Sequence, residues 1–89
     1  MPLYAAVKCK SDPDHRYHLI VSDHTGLRFD VPEGDALCSR LVRKYLSREE
    51  WDAGKQAAFE KVGSLQTLKK IDVDEEDLNS LKRCVVVDR

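Results

Sequence analysis

The sequence predicts a two-layer α+β domain, an antiparallel sheet covered on one face by a helical hairpin and one or two short helices. Three observations carry that prediction. Three N-terminal segments alternate apolar and polar residues with a period of two, the signature of half-buried strands. Residues 36–62 repeat instead with helical spacing, in two stretches joined at Leu46-Ser47. The chain then ends in Cys84-Val85-Val86-Val87, β-branched and without alternation, as suits a strand buried on both faces. Strands first, helices after and one strand to return describe an α+β arrangement rather than alternating βαβ units.

In the first segment Leu3, Ala5, Val7 and Cys9 alternate with Tyr4, Ala6, Lys8 and Lys10, so the odd residues point inward. Ser11-Asp12-Pro13-Asp14 breaks this strand with turn chemistry. Tyr17, Leu19 and Val21 then face inward with Arg16, His18 and Ser22 outward, before Asp23-His24-Thr25-Gly26 turns the chain again. Leu27, Phe29 and Val31 continue as a third inward set, with Arg28 and Asp30 outward. The three strands form a meander with one apolar face. Its other face is mixed, because Tyr4, Ala6 and Ile20 lie on it.

Pro32-Glu33-Gly34-Asp35 ends the third strand and places Asp35 as an N-cap. On the helix that follows, over 36–48, Leu37, Cys38, Leu41, Val42, Tyr45 and Leu46 share one half of the circumference and Ser39, Arg40, Arg43 and Lys44 the other. Leu46-Ser47-Arg48-Glu49-Glu50-Trp51 has the form of a capping box with a hydrophobic staple: Ser47 and Glu50 satisfy each other's amides, and Leu46 packs with Trp51. The second helix, about 48–62, gathers Trp51, Ala58, Phe59 and Val62 and obliges Lys55 to snorkel. Gly54 costs this helix about 1 kcal/mol relative to Ala, which requires either a close neighbour there or a marginal helix. Gly63 is placed to end it. Ser64 to Ile71 reads as a short helical turn or two, with Leu65, Leu68 and Ile71 inward. Asp74 is positioned to cap a further helix, Glu75 to Lys82, with an acidic start and a basic end that complement the helix dipole. Leu78 and Leu81 form its apolar face. The last strand, Cys84 to Val87, is expected to return beside the first.

Eighty-nine residues are read as a single domain, 1–89, too small to enclose a deep substrate cavity as a monomer. With 42% hydrophobic and 35% charged residues, the chain lies outside the low-hydrophobicity regime of disorder. The net charge of −1 argues against tight nonspecific polyanion binding, although residues 35–70 are basic and 71–89 acidic. Three separated cysteines do not form a disulfide framework, and the simplest fit is a reducing compartment. The N-terminus lacks the pattern of a signal peptide and no stretch reaches the roughly 18 apolar residues of a membrane span. A cytoplasmic location is expected.

Several residues invite chemical readings. Cys9, His15 and His18 offer thiolate and imidazole ligands of the kind zinc prefers, but the spacing lacks paired cysteines, and strand parity sends Cys9 and His18 to opposite faces. No metal or other cofactor is expected. Cys38 sits in the first turn of its helix, where the dipole can activate a thiol. It also lies on the apolar face, where a small core residue is the simpler reading. Pro2, if Met1 is removed, resembles the terminal proline base of the tautomerase superfamily, but there a helix follows the first strand and here a hairpin does. Asp72 to Asp77 lacks the glycine and the terminal glutamate of an EF-hand loop. Arg40, Arg43, Lys44 and Arg48 form the one uninterrupted basic run, a face that could lie against phosphates or be simply solvated.

The expected function is that of a small non-catalytic protein-binding module, a regulator, inhibitor or accessory subunit acting by surface complementarity. Its candidate surfaces are the mixed sheet face with Tyr4, His18, Ile20 and Arg28, the free sheet edge, and the exposed side of the first helix with Arg40, Arg43, Lys44 and Arg48. The partner is expected to be another protein, with a second copy of the chain also allowed. The alternative is nucleic-acid binding through the basic face of helix 36–48. A third class, an enzyme using Cys38, requires a reactive thiol.

Overall fold

A computed structural model describes residues 2–9, 16–23, 25–60 and 69–84. Its elements are β1 (Pro2–Cys9), β2 (Tyr17–Ser22), β3 (Arg28–Pro32), α1 (Ala36–Tyr45), α2 (Arg48–Glu60), β4 (Lys69–Asp72) and α3 (Glu75–Lys82). The strands form one antiparallel sheet in the order β3-β2-β1-β4. The expected α+β class and the N-terminal meander are therefore present.

Strand parity places the core. Leu3, Ala5, Val7 and Cys9 from β1, Leu19 and Val21 from β2, Phe29 and Val31 from β3 and Ile71 from β4 are all buried on one face. They form a single cluster with Cys38, Leu41, Leu46, Trp51, Ala58, Val73 and Leu81 from the helices and their flanks. Each large side chain removed from water in this way contributes about 1.5–3 kcal/mol, and the helices thereby cover the face that alternation made apolar. Helix α2 lies on β1. Gly54 is buried in α2 together with Trp51 and Ala58, so its missing side chain falls on the buried side of the helix.

The local connections follow the expected chemistry. Asp23 Oδ1 accepts hydrogen bonds from the amides of Thr25 (2.9 Å) and Leu27 (3.2 Å), and Gly26 takes a positive φ of 93° to complete the β2–β3 turn. Gly34, at φ 97°, similarly lets the chain reverse after Pro32, with the Asp35 amide bonded to Pro32 O. Asp35 caps α1 by accepting from the Leu37 amide at 2.7 Å. The capping box at the head of α2 is complete: the Glu50 amide donates to Ser47 Oγ (3.1 Å) and the Ser47 amide to Glu50 Oε1 (2.8 Å). Leu46 and Trp51 are both buried in the same cluster.

Leu27, expected inward on the third strand, precedes β3 and is 43% exposed, and Phe59, expected in the apolar cluster of the second helix, is 57% exposed on α2. Two further expectations are corrected. The segment ending at Ile71, read as helical from Leu65, Leu68 and Ile71, contributes a strand. Lys69–Asp72 pairs with β1 from Pro2↔Asp72 to Ala5↔Lys69. The period-two signal was present, since Ile71 and Val73 are buried while Lys70 and Asp72 are exposed, and pairing with β1 decides in its favour. The place beside the first strand is thus held by β4. The reading of Cys84 to Val87 as a strand falls, beyond Cys84, outside the described residues, and Cys84 itself stands in a turn after α3. Leu65, Leu68, Val62 and Gly63 also lie outside the described residues. The second correction concerns Asp74. It occupies the N-cap position of α3, but its side chain makes no capping hydrogen bond and goes instead to Lys44.

Among the described residues, no helix is long and apolar enough to cross a membrane.

Candidate functional site

The basic run expected on one helix is divided, because α1 ends at Tyr45 and Arg48 opens α2, and its side chains take two directions. Arg40 and Lys44, one turn apart, face α3. Arg40 Nη2 lies 3.3 Å from Asp77 Oδ1 and donates to Ser80 Oγ at 3.2 Å. Lys44 Nζ donates to Asp77 Oδ2 at 2.9 Å and to Asp74. Tyr45, on the same side, donates its hydroxyl to Asp77 Oδ2 at 2.6 Å and accepts from the Asp74 amide at 3.1 Å. Asp77 is only 3% exposed. The Tyr45 hydrogen bond, assisted by Lys44 and Arg40, holds its carboxyl below the usual range against the opposing effect of burial. Lys44 is pushed above its ordinary value, first by the bond to Asp74 and then by that to Asp77. Burial likewise raises the Tyr45 phenol. This cluster clasps α3 to α1, and two of the four cations offered to phosphates are spent in it.

Arg43 and Arg48 point the other way, into an open groove of about 830 Å³ between α1 and α2. Its apolar lining is Cys38 and Val42 from α1, Leu46 from the joint and Trp51 from α2, of which Val42 alone is not buried, and its charged lining is Arg43, Arg48, Asp52, Lys55 and Glu33. The geometry follows from the two-residue joint, which brings the staple pair Leu46 and Trp51 into the same lining. Helical spacing then lays Cys38, Val42 and Leu46 in one stripe. Lys55 snorkels as expected. Its Nζ bonds Glu33 Oε1 at 2.9 Å and lies 5.3 Å from the Tyr17 ring centroid and 5.8 Å from that of Trp51. Arg48 Nε pairs with Asp52 Oδ2 at 3.1 Å within the helix. Arg43 alone of the groove's cations has no carboxylate in ion-pair range among the described residues, and its Nε rests on Ser39 O at 3.4 Å.

Cys38 is 2% exposed at the edge of this groove. Burial, followed by the nearby charges of Glu33 and Asp35, pushes its thiol up to about 11, opposite to the activation that a helix N-terminus can supply. The lining thus holds a protonated thiol, two carboxylates already paired with cations, and no histidine.

On the open face of the sheet, parity and register bring the other predicted residues together. Tyr4 stands opposite Ser22, Ala6 opposite Ile20, Lys8 opposite His18 and Ser22 opposite Arg28. Tyr4 is 39% exposed, but Ala6 and Ile20 are 2% and 6% exposed, so this face offers less apolar surface than the sequence suggested. His18 Nδ1 donates to Asp30 Oδ1 at 2.7 Å, and both side chains are largely buried. The β2–β3 register makes this pair, since Ile20 stands opposite Asp30 and His18 is therefore its diagonal neighbour. Cys9 is fully buried on the opposite face from His18, so these two do not converge on one ion. His15 and His24 lie outside the described residues. No group of three metal-ligating side chains occurs among the described residues.

Sequence reasoning assigned Val42, Leu46 and Trp51 to the core and did not see that they line a groove. The staple did place two of them at one joint, but the gap between the helices is set by packing on the sheet. Comparison with family models, with curated proteins and with solved structures found no match to this chain.

Proposed function

We propose that the chain is a small non-catalytic protein-binding module, a regulator, inhibitor or accessory subunit, that recognises another protein through the α1–α2 groove. The observation that carries this reading is the groove itself: a lining of apolar and charged residues, in which every carboxylate is paired and one cation, Arg43, is not. Apolar surface with a few placed polar groups is what recognition sites are built from. The sheet face around Tyr4, His18, Ile20 and Arg28 is the less favoured surface, because His18 is already held by Asp30.

The nucleic-acid alternative has less support. A phosphate-tracking face needs several uncompensated cations pointing one way. Here Arg40 and Lys44 neutralise Asp74 and Asp77, Arg48 pairs with Asp52, and Arg43 stands apart from the first two. A catalytic role for Cys38 is likewise disfavoured by its raised thiol.

The test is affinity capture with the wild-type chain, Val42→Asp and Arg43→Glu, each with and without nuclease. A protein retained after nuclease and lost with either variant supports the reading. Recovery that collapses with nuclease, and is restored by neither groove variant, would transfer the function to nucleic acid. A nuclease-resistant partner that ignores both groove variants but is lost with Tyr4→Ala would move the site to the sheet.

A further inference from the structure

We infer that the groove takes an acidic peptide segment of a partner protein, with one bulky apolar side chain seated on Val42, Leu46 and Trp51 and an adjacent carboxylate bonded to Arg43. This rests on the protein-binding reading above and adds the chemistry of the partner. Size, surface and charge are the grounds for it.

The volume of about 830 Å³ is that of a cleft for a small ligand or a few side chains and fits an anchor residue with its neighbours. Val42 is the half-buried member of the apolar lining, so a seated side chain completes a surface that water now touches. Charge then selects the neighbours. Glu33 is held by Lys55 at 2.9 Å and Asp52 by Arg48 at 3.1 Å. Neither carboxylate therefore calls for a cation from the partner.

Arg43 is the remaining charge. Its Nε rests on Ser39 O at 3.4 Å, which leaves the two terminal amino groups of its planar fork for a carboxylate. A carboxylate beside a buried apolar anchor would meet Arg43 where water is partly excluded, and a charge-assisted hydrogen bond gains strength in that setting. A basic partner would leave Arg43 opposed by like charge, and a neutral one would leave it unmatched.

The experiment pans a phage-displayed random dodecapeptide library on the full chain. Enriched peptides, synthesised without tryptophan, are then titrated against it by the fluorescence of Trp51, the single tryptophan. The expected consensus is a Leu, Ile or Phe with Asp or Glu within about one helical turn of it. Binding should shift Trp51 emission, weaken with added salt, and fall by at least about tenfold with Arg43→Glu. Arg43 is on the exposed side of α1, so this variant is expected to fold, which circular dichroism checks. Arg43→Lys should lose less than Arg43→Glu.

Enriched peptides that are basic or uncharged, indifference to Arg43→Glu, or failure to enrich any peptide would each overturn the inference. If the captured protein remains sensitive to Val42→Asp in any of those cases, the groove stands as the docking site and only the partner chemistry is wrong. A dimer in sedimentation that Arg43→Glu dissolves would instead seat a second copy of the chain in the groove and also overturn it.

Discussion

Replacing Asp77 with Ala should release α3 from α1. The carboxylate is 3% exposed and accepts from Tyr45 Oη at 2.6 Å and Lys44 Nζ at 2.9 Å, with Arg40 Nη2 3.3 Å away. A hydrogen bond to a charged acceptor is worth about 1.5–3 kcal/mol net. The two ion pairs add little, because Lys44 and Arg40 are 45% and 47% exposed and regain water when released. The expected loss is therefore about 2–3 kcal/mol at pH 7, or about 0.7–3 M in the urea midpoint for an m-value of about 1–3 kcal/mol/M. Trp51 fluorescence reports the transition. The loss should depend on pH with a definite sign. The folded-state value of Asp77 is depressed, so its contribution is fully present above the unfolded-state value of about 3.9 and disappears as pH falls through the folded value. The gap between wild type and Asp77→Ala should then be widest at pH 5–7 and narrow below about pH 4. In a double-mutant cycle with Tyr45→Phe, the two losses should be non-additive by about 1 kcal/mol or more. A midpoint within about 0.3 M of wild type at pH 7, or a gap that does not change between pH 7 and pH 3, would refute the clasp.

Three further outcomes follow from local geometry. Ser47→Ala removes the acceptor for the Glu50 amide and should cost about 0.5–2 kcal/mol; an unchanged unfolding midpoint would show that the box is not holding the head of α2. Gly26→Ala and Gly34→Ala force a side chain into φ values of 93° and 97°. With open space at each added Cβ, the cost should be the backbone strain alone, about 1–2 kcal/mol each, and full wild-type stability in urea would mean these turns adopt another conformation. Cys38, with its thiol near 11 and its side chain 2% exposed, should resist iodoacetamide at pH 8 in the native chain and react readily in urea. Rapid stoichiometric labelling of native Cys38, read by peptide mass mapping, would reopen the case for a nucleophile.

Some of this protein is written in stretches of four to ten residues. Alternation placed the inward residues within β1, β2 and β3, because side-chain direction in a strand depends only on parity, but it carried the third set one residue too far, to Leu27, which precedes β3 and is 43% exposed. Asp35, the Ser47–Glu50 box and the Leu46–Trp51 staple were equally legible, since each joins groups within five residues of one another. The same locality brought Tyr4, His18, Ile20 and Arg28 to a common face.

What the sequence could not decide were contests between a local preference and a distant partner. Lys69 to Ile71 carries both a helical spacing and an alternation, and the choice is made by β1, more than sixty residues earlier in the chain. Asp74 is a competent N-cap by composition, yet its carboxylate goes to Lys44, thirty residues away. The basic run of α1 looked like one face until Asp77, brought in by α3, took Arg40 and Lys44 and left Arg43 to the groove. The groove itself exists because two helices that share a two-residue joint must both bury a stripe on the same sheet, which leaves Val42, Leu46 and Trp51 bordering the gap between them. Parity and capping are set by neighbouring residues and so can be read from the chain alone. Which charge meets which, and which apolar residues border a gap, depend on distances that only the packed helices and sheet define.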